Sequence, residues 1–152
     1  MQFSLSSPIG EISFRLLENA LESIDFHSQE DAFAAENDLA RSISGQLNAY
    51  FVDPQVLFDL PLRVNGTSFQ QRVWSALRDI PAGETRSYGE LAKLLKSSPR
   101  AVGNACRRNP LPIVIPCHRV VSAKGIGGFA GDTSGENIRI KRWLLSHEGV
   151  AV

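Results

Sequence analysis

The sequence predicts a two-part α/β protein in which a small antiparallel sheet covered by one helix precedes a mostly helical part. In the first part, apolar residues alternate along the chain and then recur at helical spacing. In the second part, helix-capping signatures recur. The charge divides too: residues 1–62 hold two basic and ten acidic side chains, a net charge of −8, and the other fourteen basic and six acidic side chains give residues 63–152 a net charge of +8. We therefore expect two domains, at 1–62 and 66–152, with different partners, although surface charges can also separate by chance.

Three short strands are predicted at 2–6, 11–17 and 21–27, because apolar residues alternate along each of them. The connections between them contain the sequences PIG and EN, whose residues favour tight turns. Consecutive short strands joined by tight turns form an antiparallel sheet. The sequence therefore predicts a small antiparallel sheet at the start of the first domain.

A helix is predicted over 29–51 and is expected to cover this sheet. Its apolar residues recur at helical spacing and leave the acidic residues on the opposite face. These apolar residues are Phe33, Ala40, Ile43, Leu47 and Tyr50. Apolar residues alternate again over 56–60, and the stretch from Pro61 to Gly66 looks like a linker. Nothing in this domain points to chemistry.

The second domain opens with two capping boxes, at 67–70 and 87–90, each of which starts a helix. The first of these helices ends at the sequence PAG, and the second is short. Ser98 followed by Pro99 starts a further helix that runs to about residue 108. This helix carries Arg100, Arg107 and Arg108. Two short helices joined by a tight turn, the second of them basic, have the form of a helix-turn-helix, and the alternative is an ordinary helical hairpin with a solvated basic face.

The segment LPIVIPCHRVV, at 111–121, places a reactive polar sequence inside an apolar, strand-like run. Pro116 cannot donate to a sheet ladder, so we expect the chain to leave regular pairing here and to present Cys117 at the edge of a pocket. A lone cysteine between apolar runs is also commonly an inert core residue. The adjacent His118 favours a nucleophile, because a nearby imidazole can take the thiol proton.

Cys117 and His118 are consecutive, which sets a geometric condition on proton transfer between them. Consecutive side chains of an extended segment point to opposite faces, so either the backbone turns at Pro116 or a water carries the proton. The imidazole also needs an orienting partner. Glu148 is the candidate because it follows the last predicted helix, at 135–147, where the helix dipole favours a cation over a carboxylate.

Composition limits the other classes of function. The two cysteines are too few for a disulfide scaffold, and no Cys-x-x-Cys or His-x-x-x-His pair is present, so we expect neither a metal nor a cofactor. Cys106 is interpreted as a packing residue, and His147, the rival base, as a surface residue. No apolar run reaches the roughly 20 residues of a membrane helix, and residues 1–7 do not resemble a signal peptide. The expected location is the cytoplasm.

Six blocks of the second domain resemble, in order, the O6-alkylguanine-DNA alkyltransferases, also called methylated-DNA–protein-cysteine methyltransferases. The resemblance covers about residues 66–149, whereas residues 1–62 match only in their pattern of sheet and helix. The blocks are FQQRVWSALRDIPAGET, SYGELA, PRAVGNACRRNP, NPLPIVIP, PCHRVV and KRWLLSHEG. The resemblance implies a ribonuclease H-like first domain and a winged helix-turn-helix second domain that carries the active cysteine.

The resemblance implies a DNA repair enzyme that transfers the alkyl group of O6-alkylguanine in duplex DNA to its own cysteine, once and irreversibly. Cys117 would attack the alkyl carbon, a water would link it to His118, and Glu148 would orient the imidazole. Asn109 matches the hinge asparagine that supports this hydrogen-bond network. Tyr88 matches the tyrosine that donates a proton or a hydrogen bond to guanine N3.

The resemblance also implies how DNA is held. The helix-turn-helix would enter the minor groove, and Arg100 would fill the gap left by the flipped base. Ala101 and Gly103 would allow close approach of the helix to the groove, as would Ala105. Helix N-termini near Gln70 and Gly89 would donate backbone amides to phosphates.

The base pocket implied by the resemblance contains Tyr88, Val120 and Phe129, with the carbonyls of Cys117 and Val120 accepting from the guanine amine. Many family members have Tyr where this chain has Phe129, and some have Ser where it has Ala130. Backbone amides would therefore have to replace a side-chain hydroxyl at guanine O6.

Two other functions stay open. One is a binding module similar to the alkyltransferase-like proteins, which flip the same base but lack the cysteine, and the presence of Cys117 argues against it. The other is a winged-helix regulator with a core cysteine, which would leave Tyr88 and Glu148 unexplained. The expected partner is duplex DNA containing alkylated guanine, with O4-alkylthymine as a second candidate substrate and no membrane partner. We expect a monomer, and cooperative binding along DNA is left open.

Overall fold

A computed structural model of the chain describes residues 2–26, 37–129 and 135–152. The chain divides into two compact units, Met1–Val64 and Asn65–Val152. Within these residues, the first unit holds a small antiparallel sheet and one helix, and the second holds four helices and a pair of two-residue strands. No helix within the described residues has both the length and the apolar character needed to cross a membrane.

The sheet of the first unit contains β1 (Gln2–Ser7), β2 (Gly10–Leu17) and β3 (Ala20–Asp25) in that order. Both pairs are antiparallel, and Phe3 of β1 lies opposite Phe14 of β2 with their rings stacked at 5.6 Å. The predicted antiparallel sheet is therefore confirmed. The turn between β2 and β3 is tight because its two residues, glutamate and asparagine, both adopt positive φ angles of 50° and 61°. His27, the last residue of the third predicted strand, lies outside the described residues.

One helix, α1 (Asp38–Val52), packs against β1. It begins where Asn37 caps it, the Asn37 side chain accepting a hydrogen bond from the Ala40 backbone at 2.8 Å. Its buried residues are Ala40, Ile43, Leu47 and Tyr50, as the helical spacing predicts. The predicted start of the helix at 29–36, including Phe33, lies outside the described residues.

The segment predicted as a linker between the two parts is not free along its whole length. The Leu21 backbone N–H donates to the Pro61 carbonyl at 2.8 Å, and the Arg63 N–H donates to the Leu21 carbonyl at 2.9 Å. The prediction was therefore wrong for residues 61–63. The physical reason is that β3 is an edge strand whose outer N–H and C=O groups need partners, and this segment supplies them.

The second unit is built on α2 (Ser68–Arg78), α3 (Tyr88–Leu94), α4 (Pro99–Arg107) and α5 (Glu136–His147). Thr67 and Ser87 each form the predicted capping box with the residue three positions later, and Ser98 caps α4 with proline at its first position. The helix starts are therefore confirmed. Helix α3 packs against α4 across the short turn that joins them, and α2 packs against α4. Trp74 of α2 is buried and donates from Nε1 to the Ala105 carbonyl at 2.9 Å.

Residues 111–116 are wound into turns, so the strand-like segment predicted there is absent. The Ile115 N–H donates to the Leu111 carbonyl at 2.8 Å, and Ile113 adopts a φ of 77°, which a β-branched residue rarely does. Asn109 accounts for the winding, because its side chain competes for backbone groups that a strand would pair with a neighbour. Regular pairing resumes only at β5 (Val120–Val121), which lies parallel to β4 (Arg86–Ser87).

Candidate active site

Cys117 begins a single 3₁₀ turn, Cys117–Arg119, that follows this wound segment. The Arg119 N–H donates to the Pro116 carbonyl at 3.0 Å, and the Val120 N–H donates to the Cys117 carbonyl. The backbone therefore turns at Pro116, but His118 Nδ1 has no hydrogen-bond partner in the described part of the chain, so the turn does not remove the need for a water to carry the proton. Cys117 is 7% exposed and His118 is fully buried, so the turn holds both side chains inside the second unit.

Asn109 fixes the backbone that leads into the cysteine. Its Oδ1 accepts from the Leu111 N–H at 2.9 Å and its Nδ2 donates to the Ile115 carbonyl at 2.8 Å. Its side chain also lowers the pKa of Cys117, which favours the thiolate. Asn109 thus joins the end of α4 to the segment that carries the thiol.

His118 is oriented by Glu148, which directly follows α5. His118 Nε2 lies 2.8 Å from Glu148 Oε2, and both side chains are fully shielded from solvent. An ionised carboxylate only accepts hydrogen bonds, so Nε2 carries the proton of the neutral ring. The other ring nitrogen, Nδ1, then has a lone pair, and it is buried without a hydrogen-bond partner in the described part of the chain. His118 is therefore set up as a base at Nδ1.

Burial keeps both the Cys117 thiol and the His118 imidazole neutral before the reaction. Burial raises the pKa of Cys117. The Asn109 side chain, the charge of Lys141 and a backbone hydrogen bond each oppose this rise. Burial lowers the pKa of His118, an effect opposed by the hydrogen bond and charge of Glu148 and reinforced by the charges of Arg119 and Lys141. A neutral imidazole can accept a proton, and a neutral thiol needs to lose one before it attacks.

Arg119 is a site residue that the sequence analysis missed. Its Nε donates to Glu148 Oε1 and its Nη2 to Glu148 Oε2, both at 2.9 Å, and its Nη1 donates to the Ile80 carbonyl at 2.6 Å. The side chain is 11% exposed. In the sequence, only its position directly after His118 pointed to a role in the site.

Lys141 of α5 is the second missed residue. Its side chain is completely buried, and Nζ donates to the Val120 carbonyl at 2.7 Å and to the Gly128 carbonyl at 2.9 Å. Burial lowers the pKa of Lys141 to about 8, and the nearby thiols Cys117 and Cys106 oppose this shift. Helical spacing places Lys141 on the same face as the apolar residues of α5, so periodicity could have found it.

Tyr88 lies directly after β4, whose pairing with β5 brings it to the cysteine segment. Its ring contacts two glycines: an added Cβ at Gly103 would lie 3.9 Å from Cε1, and one at Gly127 only 3.0 Å from Cε2. Gly127 also has a φ of 75°, which favours glycine. Burial raises the pKa of Tyr88, as do the charges of Cys106 and Cys117. The hydroxyl therefore stays protonated.

The other residues predicted for the base pocket are buried. Val120 is fully buried and Phe129 is 4% exposed, and Ala130 lies outside the described residues. The Val120 carbonyl already accepts from Lys141, and the Cys117 carbonyl already accepts from the Val120 N–H. A carbonyl oxygen has two lone pairs, so each retains one for a further donor.

The residues predicted to contact DNA lie on the helix starts. Arg100 is exposed in the first turn of α4, and Ala101 and Gly103 follow it, half-buried. Gly89 is exposed in the first turn of α3. The Gln70 backbone N–H donates to Thr67 Oγ1 at 3.1 Å, so that amide is already used within its own capping box. Within the described residues, no group of three or more His, Cys, Asp or Glu side chains is placed to hold a metal ion.

The fold and the site define a two-unit α/β protein in which a buried cysteine precedes a buried histidine that lies 2.8 Å from a buried carboxylate. The model of the family "6-O-methylguanine DNA methyltransferase, DNA binding domain" matches residues 68–150. The chain belongs to the methylated-DNA–protein-cysteine methyltransferases, DNA-binding enzymes of DNA repair, so the resemblance seen in the sequence is confirmed. A methyltransferase of that name from Methanosarcina acetivorans is 42% identical over 94% of this chain and 94% of its own length.

Solved structures give the same result. The O6-methylguanine methyltransferase of Mycobacterium tuberculosis is 36% identical and superposes with a TM-score of 0.81, covering 100% of this chain and 96% of its own. A second structure of the Mycobacterium tuberculosis protein, in complex with DNA, has 36% identity and a TM-score of 0.81 over 97% of this chain and 92% of its own. The mixed α/β fold with a small antiparallel sheet and five helices is therefore that of this family.

Proposed function

We propose that the protein removes the alkyl group from O6-alkylguanine in duplex DNA by transferring it to Sγ of Cys117, and that each molecule reacts once. The observation that carries this proposal is the orientation of His118. Because Glu148 holds Nε2 at 2.8 Å, the lone pair of Nδ1 is left to receive the thiol proton.

The bond changes in this reaction balance without a cofactor. The Cys117 thiol proton moves to His118 Nδ1 through one bridging water, while Sγ attacks the saturated alkyl carbon. The new S–C bond forms as the C–O6 bond breaks, and the electron pair stays on the guanine. Glu148 stabilises the imidazolium. The product is a thioether, which water does not hydrolyse, so the cysteine is not regenerated.

Tyr88 assists the departure of the guanine. Because its pKa is raised, its hydroxyl remains an O–H group that can donate to guanine N3. A donor placed where negative charge develops lowers the barrier to reaction. The carbonyls of Cys117 and Val120 each keep a lone pair for the guanine amine, and Phe129 completes the pocket.

The helices α3 and α4 act as a winged helix-turn-helix in the minor groove. The target base leaves the stack at a cost of a few kcal/mol, and Arg100 fills the gap. Half-buried Ala101 and Gly103 allow α4 to approach closely. The net charge of +8 over residues 63–152 supplies sequence-independent attraction to phosphates, aided by backbone amides near Gly89 and at the α2 start before Gln70. The Mycobacterium tuberculosis relative solved in complex with DNA supports this proposal.

Several finer features remain predictions within this proposal. The first unit is expected to be ribonuclease H-like, and the protein is expected to bind duplex DNA as a monomer. O4-alkylthymine is a second candidate substrate because its alkyl group is also bound to an exocyclic oxygen. Cooperative binding along DNA is to be tested by titration of long duplexes.

Mass spectrometry after incubation with duplex DNA containing O6-methylguanine tests the reaction. We expect one adduct per molecule, with the mass of one methylene, located on Cys117. Cys117→Ser should give no adduct, whereas Cys106→Ser, which changes the other buried cysteine, should react like the unaltered protein. Retained binding of the damaged duplex without any adduct would instead select the alkyltransferase-like binding module.

A second arm of the same experiment tests the role of Arg100. Arg100→Ala should slow reaction with the duplex far more than reaction with the free alkylated base, because only the duplex needs a base to be flipped. Arg107→Ala, an exposed arginine on the same helix, is the matched control. Equal losses on both substrates would remove the proposed role in base flipping.

A further inference from the structure

The Arg119 side chain makes three hydrogen bonds, and two of them go to the carboxylate that orients the base. Its Nε and Nη2 each lie 2.9 Å from a different oxygen of Glu148, which is the planar, two-pronged geometry typical of arginine–carboxylate pairs. Glu148 Oε2 is shared, because it also lies 2.8 Å from His118 Nε2. One carboxylate therefore serves two cationic or potentially cationic partners.

The third hydrogen bond of Arg119 anchors it to a different element. Nη1 donates to the carbonyl of Ile80, two residues beyond the end of α2. The turn that follows also approaches Glu148, since an added Cβ at Gly83 would lie 3.3 Å from the Glu148 carbonyl oxygen. Arg119 thus joins the end of α2, the 3₁₀ turn and the end of α5 at one carboxylate.

We propose that Arg119 is a positioning residue for alkyl transfer: it fixes Glu148 in one orientation and limits how strongly that carboxylate favours a protonated His118. This inference rests on the proposed function, because it assigns His118 the role of base. Arg119 does not touch the thiol in this arrangement and acts only through Glu148.

The charges around His118 support this role. The groups that act on it are Glu148, Arg119 and Lys141, and the carboxylate is the only anion among these three. Arg119 already balances the negative charge of Glu148, because it donates to both carboxylate oxygens. An imidazolium at His118 would therefore be the second cation on a single anion, with Lys141 as a third cation nearby.

This balance suits a base that must be neutral before the reaction. If Glu148 faced His118 alone, the buried pair would bind a proton more readily, whichever of the two held it. A larger share of molecules would then have no lone pair at Nδ1 near neutral pH. In the presence of Arg119, the main effect of Glu148 is to select the tautomer with the proton on Nε2.

Titration of the His118 imidazole by nitrogen NMR in the full, unreacted chain tests the inference. Arg119→Gln removes the charge, and we expect the pKa of the His118–Glu148 pair to rise by about one unit or more. The acidic limb of the alkyl-transfer rate should shift to higher pH by the same amount. Arg139→Gln, which removes an exposed arginine from α5, should shift neither and is the matched control.

Arg119→Lys separates charge from geometry. A lysine keeps the positive charge but cannot bridge both oxygens and the Ile80 carbonyl, so the titration should move little while the rate falls about 10- to 100-fold at every pH. An unshifted titration in folded Arg119→Gln would overturn the inference. If Arg119→Gln does not fold, an unaltered alkyl-transfer rate in Arg119→Lys would overturn the inference instead.

The two readouts separate this inference from the proposed function. The NMR titration needs no substrate, so it tests Arg119 even if the unaltered protein forms no adduct. Absence of an adduct together with the expected titration shift would contradict the proposed function and leave the electrostatic role of Arg119 standing. An adduct without the shift would contradict only the role of Arg119.

Discussion

The two units of the molecule bury different kinds of side chain. Within the described residues of the first unit, Ser13 is the only polar residue classed as buried, whereas the second unit buries His118, Lys141 and Glu148 together with two thiols. An unpaired buried charge costs several kcal/mol. The described interior of the first unit is therefore almost wholly apolar, whereas the second unit holds a buried polar cluster beside Cys117.

Replacement of the base gives the largest expected effect. His118→Ala should slow alkyl transfer about 10²- to 10⁴-fold, because a positioned general base contributes that much. Ser13→Ala, the matched change at the buried polar residue of the first unit, should leave the rate unchanged. Single-turnover kinetics with methylated duplex would measure both. A comparable loss in Ser13→Ala would show that the contrast between the units does not extend to function.

Replacement of the buried lysine should change how stability depends on pH. The pKa of Lys141 falls from 10.5 to about 8 on folding, so between these values the unfolded chain binds more protons than the folded one. The contribution of Lys141 to the free energy of unfolding should therefore rise with pH across this window, by about 3 kcal/mol in all.

Lys141→Met has no charge at this position, so its stability should lack this rise. Urea unfolding of both proteins below pH 8 and near pH 10 would measure the difference between them. Cys106 and Tyr88 also titrate at high pH, but both proteins contain them, so to first order their effects cancel in the difference. A difference that stays constant with pH would mean that Lys141 is not held in a costly environment.

The smallest expected effect concerns the loop that contacts Tyr88. Gly127→Ala should lower stability by about 1 to 3 kcal/mol, because the residue has a positive φ and its Cβ would press on the Tyr88 ring. Gly125→Ala is the control, since nothing lies within 4 Å of an added Cβ there. Urea unfolding measures both. Equal stabilities would show that this loop is packed less tightly than the core of the first unit.

The sequence predicted those features that depend on residues close together in the chain. The strands of the first unit, the capping boxes of α2 and α3 and the start of α4 follow from local spacing and cap chemistry, and all three form. The carboxylate placed against the helix dipole, Glu148, lies beside His118 as expected, whereas the catalytic roles of Cys117, His118 and Glu148 stay predictions.

The features that could not be predicted from the sequence depend on contacts between residues far apart in the chain. Arg119 pairs with a carboxylate 29 residues away. Periodicity places Lys141 on the buried face of α5, but it does not show that the carbonyls of Val120 and Gly128 accept its hydrogen bonds. Hydrophobic periodicity reports which residues share one element and not which elements meet. The winding of residues 111–116 was missed for a related reason, since an apolar run alone does not show that Asn109 binds its backbone groups.

Because the carboxylate that orients His118 lies at the end of α5, the reactivity of the thiol depends on the last turn of that helix. Helix ends open locally more often than whole domains unfold. When this turn opens, Cys117 remains in the chain but its base loses orientation, so the sulfur becomes a weak nucleophile. If the proposed function holds, a partly opened molecule therefore reacts slowly with an alkyl donor, and mainly fully ordered molecules are used up in repair.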